Sequence, residues 1–192
     1  MTRRVYFCFD HDDIASARAT VVRQHFRSMN GSEAGFFDLA TWNNASKSGE
    51  LAVKNLIDNG LEGTSATCVL IGTATFSQEW VRYEIFRSIA RGNRVFGVHI
   101  NQIPGAGARV KPNGPNPFDF LALKFSDDGT SVEPTEYVGN AWIQFDRYPP
   151  YRLSAIAVAS RRGHVVQLSD IGCETFSWSN QDSATSMSSW VA

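Results

Sequence analysis

The chain has 192 residues, of which 43% are hydrophobic and 19% charged, and its formal net charge at pH 7 is -1. These values predict one globular domain over residues 1–192 and argue against nucleic acid as a partner, because phosphate binding needs clustered Lys and Arg. No segment approaches the roughly 20 apolar residues of a membrane span. The first apolar run is too short, and the residues after it too acidic, for a signal peptide. We therefore expect a cytoplasmic protein without membrane partners.

The first predicted element is a strand over residues 4–9, an apolar run that indicates burial on both faces. Asp10 and His11 follow it directly. They therefore lie at the carboxyl end of the strand, the edge at which open α/β sheets bind ligands. Ordinary turn and helix-cap chemistry also explains these two residues, so both interpretations stay open at this point.

A helix is expected next over residues 14–28, followed by a short strand within residues 33–37. Residues 38–48 predict a polar loop that contains Trp42. Because an exposed tryptophan is unfavourable, Trp42 either packs onto the core or stacks on a ligand.

Residues 49–59 predict another helix with four apolar residues facing inward, among them Leu51 and Ile57. A buried strand follows over residues 64–72. This helix and strand precede residues 75–92, the segment that carries the most information about function.

That segment, residues 75–92, predicts a helix that starts with a capping box formed by Thr75 and Gln78. Trp80 and Glu84 are four residues apart and share one side of the helix, close to the ligand-binding edge of the sheet. An aromatic surface beside a carboxylate suits a sugar or a nucleotide.

Residues 93–100 predict a further buried strand, so strands alternate with helices and indicate a parallel sheet with right-handed crossovers. A long loop rich in Gly and Pro spans residues 102–117. Beyond it, turn signals at residues 126–129 and 138–140 separate short strands and predict an antiparallel β meander.

The fold class is therefore α/β, a three-layer parallel sheet flanked by helices over residues 4–101, with the meander and a tail over residues 117–192. Residues 153–159 fit a helix or a strand equally well. A short helix carrying Met187, Trp190 and Val191 is expected at the end.

The three cysteines, Cys8, Cys68 and Cys173, are far apart in sequence, and the four histidines are scattered. Since Cys8 and Cys68 lie in apolar runs, we expect buried, reduced thiols. Metal sites use clustered Cys or His, so the sequence predicts no metal site.

Several of these motifs occur together in a known family. They are the first strand with its Asp-rich loop, the strand at 67–72, Ser77 with the Trp-x-x-x-Glu helix at 80–84, the strand at 94–100, and the Asn-Pro-Phe-Asp-Phe run at 116–120. In this order they resemble TIR domains, and more closely the TIR-like family of bacterial Thoeris antiphage proteins. The resemblance covers roughly residues 4–145 and implies a flavodoxin/TIR-like sheet.

The resemblance implies cleavage of NAD⁺ between nicotinamide and ribose, with NAD⁺ as substrate and no further cofactor. In enzymatic members the glutamate of the matching helix is catalytic, and that position is Glu84. A carboxylate beside the ribose stabilises the oxocarbenium-like charge of this cleavage. The family further implies a cyclic ADP-ribose product that signals to an effector protein, and self-association on activation.

The resemblance also suggests substrate-binding residues. Asp10 and His11 match the loop that lines the family's pocket, and Trp42 lies in the segment that matches its mobile BB loop. Ser77 is either a ribose contact or a second helix cap, and Tyr83 either lines the pocket or packs in the core.

Other interpretations stay open. Glu84 alone is also explained as a solvated residue paired with Arg87. The chain as a whole fits a non-catalytic TIR-like interaction module, or a nucleoside 2-deoxyribosyltransferase-like enzyme that also places a carboxylate on a sugar. No G-x-G-x-x-G run follows the first strand, which argues against a dehydrogenase.

Overall fold

A computed structural model describes residues 4–11, 17–28, 32–34, 36–105, 108–178 and 189–190. The helices in these ranges are α1 (Arg18–Ser28), α2 (Leu39–Ser48), α3 (Glu50–Leu61) and α4 (Glu79–Ala90). The strands are β1 (Arg4–Phe9), β2 (Ser32–Ala34), β3 (Ala66–Ile71), β4 (Arg94–His99), β5 (Leu121–Phe125), β6 (Ser131–Val138), β7 (Ala141–Gln144), β8 (Tyr151–Arg152), β9 (Val165–Gln167) and β10 (Thr175–Ser177).

The first sheet is parallel throughout, with the strand order β10-β4-β3-β1-β2. Strand β1 pairs with β2 on one side and with β3 on the other, so the winding of the chain reverses at β1. In open α/β sheets, ligands bind outside the carboxyl ends of the strands at such a switch point. The prediction of a parallel α/β sheet is confirmed.

Apolar clusters cover both faces of this sheet, as the continuous apolar run of β1 requires. Successive side chains of a strand point to opposite faces. Tyr6 and Cys8 therefore pack on the side of α3 and α4, whereas Val5 and Phe7 pack on the side of α1. The three free cysteines are buried, as expected.

The second sheet is antiparallel, with the order β7-β6-β5-β9 and with β8 paired to β6. Its hairpin turns lie where the sequence predicts them. The Gly129 amide donates to the Ser126 carbonyl at 2.9 Å, and Gly139 and Asn140 both have positive φ, as a type I′ turn requires. The predicted meander is confirmed.

Strand β10 pairs in parallel with β4 and completes the first sheet, although the sequence assigned this segment to the tail. Gly97 of β4 permits the close packing here, because a Cβ would lie 2.6 Å from Ile71 Cδ1 and 3.1 Å from Thr175 Cγ2. The C-terminal segment thus returns to the core sheet. The assignment of the chain to one domain stays a prediction.

Residues 38–48 form the helix α2 and not the polar loop that was expected. The Asp38 carboxylate caps this helix by accepting a hydrogen bond from the Thr41 amide at 2.7 Å. No residue of α2 is fully buried, and only Trp42 and Ala45 of this helix pack, partly buried, against the core. The segment therefore lacks the wide apolar face by which a core-packed helix is usually recognised.

The helix expected from Thr75 begins instead at Glu79. Thr75 lies in a short 3₁₀ turn, where its hydroxyl accepts the Gly72 amide at 2.8 Å. Gln78 directs its side chain to Asp10 and makes no cap bond. The proposed capping box is therefore wrong.

Some other expectations are corrected or fall outside the described ranges. The second strand lies at Ser32–Ala34, just before the Gly35–Phe37 run, and residues 153–158 form neither helix nor strand. The expected first turn of α1, together with Met187 and Val191, lies outside the described residues. Trp190 is described and stacks on Phe176, with 4.8 Å between ring centroids.

No helix within the described ranges has the length and apolar character needed to cross a membrane.

Ile57 and Leu51, two aliphatic residues of similar size in α3, provide a test of how this helix packs on the core. Ile57 is fully buried, whereas Leu51, which was expected to face inward, is 71% exposed. We expect Ile57→Ala to lower the free energy of unfolding by about 2–5 kcal/mol, because it leaves a cavity. Leu51→Ala is the control and should change it by less than about 0.5 kcal/mol. Urea unfolding measures both, and equal effects would contradict the placement of α3.

Candidate active site

A cleft of about 160 Å³ opens beside the carboxyl end of β1 and the start of α4. This is the switch point of the parallel sheet, where a ligand site is expected. The residues that line it are Phe9, Asp10, His11, Trp42, Gln78, Trp80, Val81 and Glu84. Four of the six residues predicted from the sequence to form the site therefore meet here.

Glu84 is the most deeply placed acidic group of the cleft. It lies in the second turn of α4 and is only 5% exposed. The Tyr6 hydroxyl of β1 donates a hydrogen bond to Glu84 Oε1 at 2.7 Å. A solvated glutamate paired with Arg87 is thereby ruled out, since Arg87 instead binds Asp58 of α3 through two hydrogen bonds.

Burial raises the pKa of Glu84 to about 7, and hydrogen bonds from Cys8 and Tyr6 limit the rise. A carboxyl group with this pKa is about half ionised at neutral pH. It can therefore accept a proton, or oppose a positive charge, at neutral pH.

Asp10 and Gln78 close the floor of the cleft on the side of the sheet edge. Asp10 is 8% exposed and its Oδ2 accepts a hydrogen bond from the Gln78 side-chain amide at 3.1 Å. This bond ties the end of β1 to the residue that precedes α4. It places a second carboxylate in the same cleft as Glu84.

Aromatic rings form the opposite wall. The ring of Trp42 lies 4.4 Å from that of His11, and it meets the Trp80 ring edge to face at 6.3 Å. Trp42 is carried by α2, the helix without fully buried residues. The wall therefore consists of planar surfaces on which a base or a nicotinamide ring can stack.

Trp80 lines the cleft and also contacts Arg147. The Arg147 guanidinium lies 4.9 Å from the centroid of the Trp80 ring. Arg147 also forms ion pairs with Glu79 of α4 and with Glu50 of α3. The loop between β7 and β8 of the antiparallel sheet thus fixes one wall of the cleft.

Ser77 and Tyr83 do not line the cleft. Ser77 is exposed, and its hydroxyl donates to the Ala74 carbonyl at 2.8 Å, which closes the 3₁₀ turn before α4. Tyr83 packs in the core against Trp80 and Tyr148, with ring centroids 5.8 Å and 5.5 Å away. The geometry supports the cap and core interpretations of these two residues.

The sequence analysis did not identify Tyr6 or Gln78 as site residues. A signal for Tyr6 was present, because a tyrosine within a fully buried strand needs a hydrogen-bond partner for its hydroxyl. The sequence pattern does not indicate which residue is that partner, because Glu84 lies 78 residues away in the sequence.

The cleft is small compared with common ligand pockets of roughly 300–1,000 Å³. It has room for a group of about the size of a single sugar. In the described ranges, no group of three or more His, Cys, Asp or Glu side chains is arranged to hold a metal ion.

Comparison with known proteins gives two findings. Residues 6–104, which include every residue of the cleft, match the family described as Thoeris protein ThsB, TIR-like domain. Over 192 residues the chain is 42% identical to the putative cyclic ADP-D-ribose synthase ThsB1 of Bacillus cereus (strain MSX-D12), and the alignment covers 100% of both chains.

The raised pKa of Glu84 predicts how stability depends on pH. Between its ordinary pKa of 4.5 and the folded value of about 7, the folded chain keeps a proton that the unfolded chain releases. This contribution to stability is present below pH 4.5 and is lost as the pH rises through 7. The Glu84→Gln variant lacks it. Relative to the wild type, the free energy of unfolding of Glu84→Gln should therefore increase by about 2–3 kcal/mol from pH 5 to pH 8.

Urea unfolding at the two pH values measures this difference. Glu62→Gln makes the same charge change at an exposed position and is the control. If the difference in free energy of unfolding between Glu84→Gln and the wild type stayed constant from pH 5 to pH 8, the burial of an ionisable Glu84 would be contradicted.

Proposed function

Because the chain belongs to the TIR-like family of Thoeris ThsB proteins, we propose that it cleaves NAD⁺ at the nicotinamide–ribose bond and forms a cyclic ADP-ribose-type nucleotide. The observation that carries this proposal is Glu84, a buried carboxylate in an aromatic cleft at the switch point of the sheet. Full-length similarity to a protein named as a putative cyclic ADP-D-ribose synthase supports the reaction class.

In the proposed reaction, Glu84 acts in its ionised form. Breaking the bond between nicotinamide and ribose builds positive charge on the sugar ring. A carboxylate beside the ribose stabilises this charge and can accept hydrogen bonds from the ribose hydroxyls. Nicotinamide leaves as a neutral ring, so strong acid catalysis is unnecessary. With a pKa of about 7, Glu84 is sufficiently ionised at neutral pH.

We assign substrate binding to Asp10, His11 and Trp42. Trp42 and His11 line the cleft with adjacent rings that are available for stacking. Asp10, held by Gln78, is placed to accept a hydrogen bond from a ribose hydroxyl or from the carboxamide of nicotinamide. Ser77 and Tyr83 receive no direct role, since neither lines the cleft.

Formation of a cyclic product requires that a group within ADP-ribose reaches the ribose carbon before water does. Phe9, Trp42, Trp80 and Val81 make half of the cleft lining apolar. Apolar surface beside the reacting carbon favours attack by a ring nitrogen or hydroxyl of the same molecule over attack by water. This supports a cyclase more than a simple hydrolase.

The family resemblance also suggests a biological setting. We propose that the nucleotide is a signal in cytoplasmic antiphage defence, that it acts on a separate effector protein, and that the chain self-associates on activation. Full-length similarity to a Thoeris family member supports this setting.

The catalytic role is tested by incubating the protein with NAD⁺ and following nicotinamide and nucleotide products by mass spectrometry. Glu84→Gln keeps the size of the side chain and removes its charge, so we expect nicotinamide release to fall by about 100-fold or more. Glu62→Gln, outside the cleft, should retain wild-type activity. Equal activity of Glu84→Gln and wild type would overturn the assignment, and base exchange on deoxynucleosides would indicate a deoxyribosyltransferase instead.

Stacking by Trp42 predicts a different kinetic effect. Trp42→Ala removes a ring worth about 1–3 kcal/mol of stacking with a base, so we expect KM for NAD⁺ to rise about tenfold or more. Trp42→Phe should restore most of the affinity. Trp142→Ala, on the antiparallel sheet, is the matched control and should leave KM unchanged. A lower kcat with unchanged KM would contradict a stacking role for Trp42.

A further inference from the structure

We propose that Tyr6 is a positioning residue for Glu84, which holds Oε1 by a hydrogen bond so that the carboxylate stays ionised and presents its other oxygen to the ribose. This inference rests on the proposed function for its catalytic meaning. Its structural part, the control of the charge on Glu84 by Tyr6, can be tested independently of activity.

The geometry leaves Tyr6 little freedom. Its side chain is fully buried in the middle of β1, and its hydroxyl lies 2.7 Å from Glu84 Oε1. The Tyr6 ring meets the Phe37 ring edge to face at 6.4 Å, which restricts its rotation. The hydroxyl is therefore aimed at one oxygen of Glu84 by the strand itself, and short hydrogen bonds of this kind to a carboxylate are strong.

The charges around Glu84 explain why this bond matters. The titratable groups near it are Tyr6 and Cys8 of β1 and, in the same cleft, Asp10 and His11. Asp58 of α3 acts electrostatically on Tyr6. Within the described part of the chain, no Lys or Arg forms an ion pair with Glu84, because Arg87 of the same helix is bound to Asp58. The ionised form of Glu84 therefore depends on neutral donors.

Of the two donors, Tyr6 makes the well-defined hydrogen bond, with 2.7 Å between its hydroxyl and Glu84 Oε1. A thiol is a weak hydrogen-bond donor, and Cys8 Sγ lies 3.9 Å from the Val81 carbonyl, which competes for its proton. Burial and the neighbouring Glu84 raise the pKa of Tyr6 well above its ordinary value. The Tyr6 hydroxyl thus keeps its proton over the working pH range and remains a donor.

The direct test is a titration of the Glu84 carboxyl group by ¹³C NMR, with the signal assigned by its absence in Glu84→Gln. Tyr6→Phe keeps the ring and removes only the hydroxyl, so we expect the titration midpoint to rise by about one pH unit. Cys8→Ala should raise it by less. Tyr151→Phe is the control, because the Tyr151 hydroxyl is buried and has no hydrogen-bond partner among the described residues. An unchanged midpoint in Tyr6→Phe would overturn the inference.

Nicotinamide release from NAD⁺ gives the kinetic counterpart. A midpoint one unit higher leaves about a tenth of Glu84 ionised at pH 7, so Tyr6→Phe should lose about fivefold in kcat at pH 7 and recover near pH 9. A purely structural role would lower activity equally at every pH, and that result would overturn the inference.

The two proposals fail in different ways. If the wild type releases no nicotinamide, the proposed function fails, while the NMR titration still decides the role of Tyr6. If the wild type is active and Glu84→Gln is not, but Tyr6→Phe keeps the wild-type titration midpoint and pH profile, only the inference on Tyr6 fails.

Discussion

The hydrogen bond between the Tyr6 hydroxyl and the Glu84 carboxylate is the contact on which the site depends. It joins the centre of β1 to the second turn of α4 at 2.7 Å, inside the main apolar cluster. Burying a carboxylate is unfavourable unless the group is hydrogen-bonded, and here burial raises the pKa of Glu84 to about 7. Burial of Glu84 thus lowers the stability of the fold at neutral pH while it places a reactive group in the cleft, a compromise common at functional sites.

The antiparallel sheet and the chain beyond it hold α4 in place. Arg82 of α4 forms an ion pair with Glu136 of β6, and Arg87 donates to the Tyr148 hydroxyl at 3.2 Å. Arg147, in the loop between β7 and β8, places its guanidinium over the ring of Trp80 on α4. Both ends of α4 are therefore braced by the meander, which gives this addition to the parallel sheet a role in shaping the cleft.

The sequence was sufficient for the elements with local signals. Continuous apolar runs identified β1, β3 and β4, the Gly139-Asn140 pair identified a hairpin turn, and the resemblance identified Glu84. Three features had no such signal. The helix α2 has no fully buried residue, β10 is a three-residue strand that depends on a distant partner, and the Tyr6 bond spans 78 residues. Each of these features depends on tertiary contacts, which the hydrophobic periodicity of the sequence does not predict.

The most direct test of the proposed active site is the structure of the Glu84→Gln variant with NAD⁺ bound. We expect the nicotinamide ribose to lie within hydrogen-bond distance of the substituted side chain, with the nicotinamide ring against Trp42 and His11. A dinucleotide bound elsewhere, for example in the groove of about 450 Å³ beside Tyr137 and Trp142 on the antiparallel sheet, would contradict the claim that this cleft is the active site.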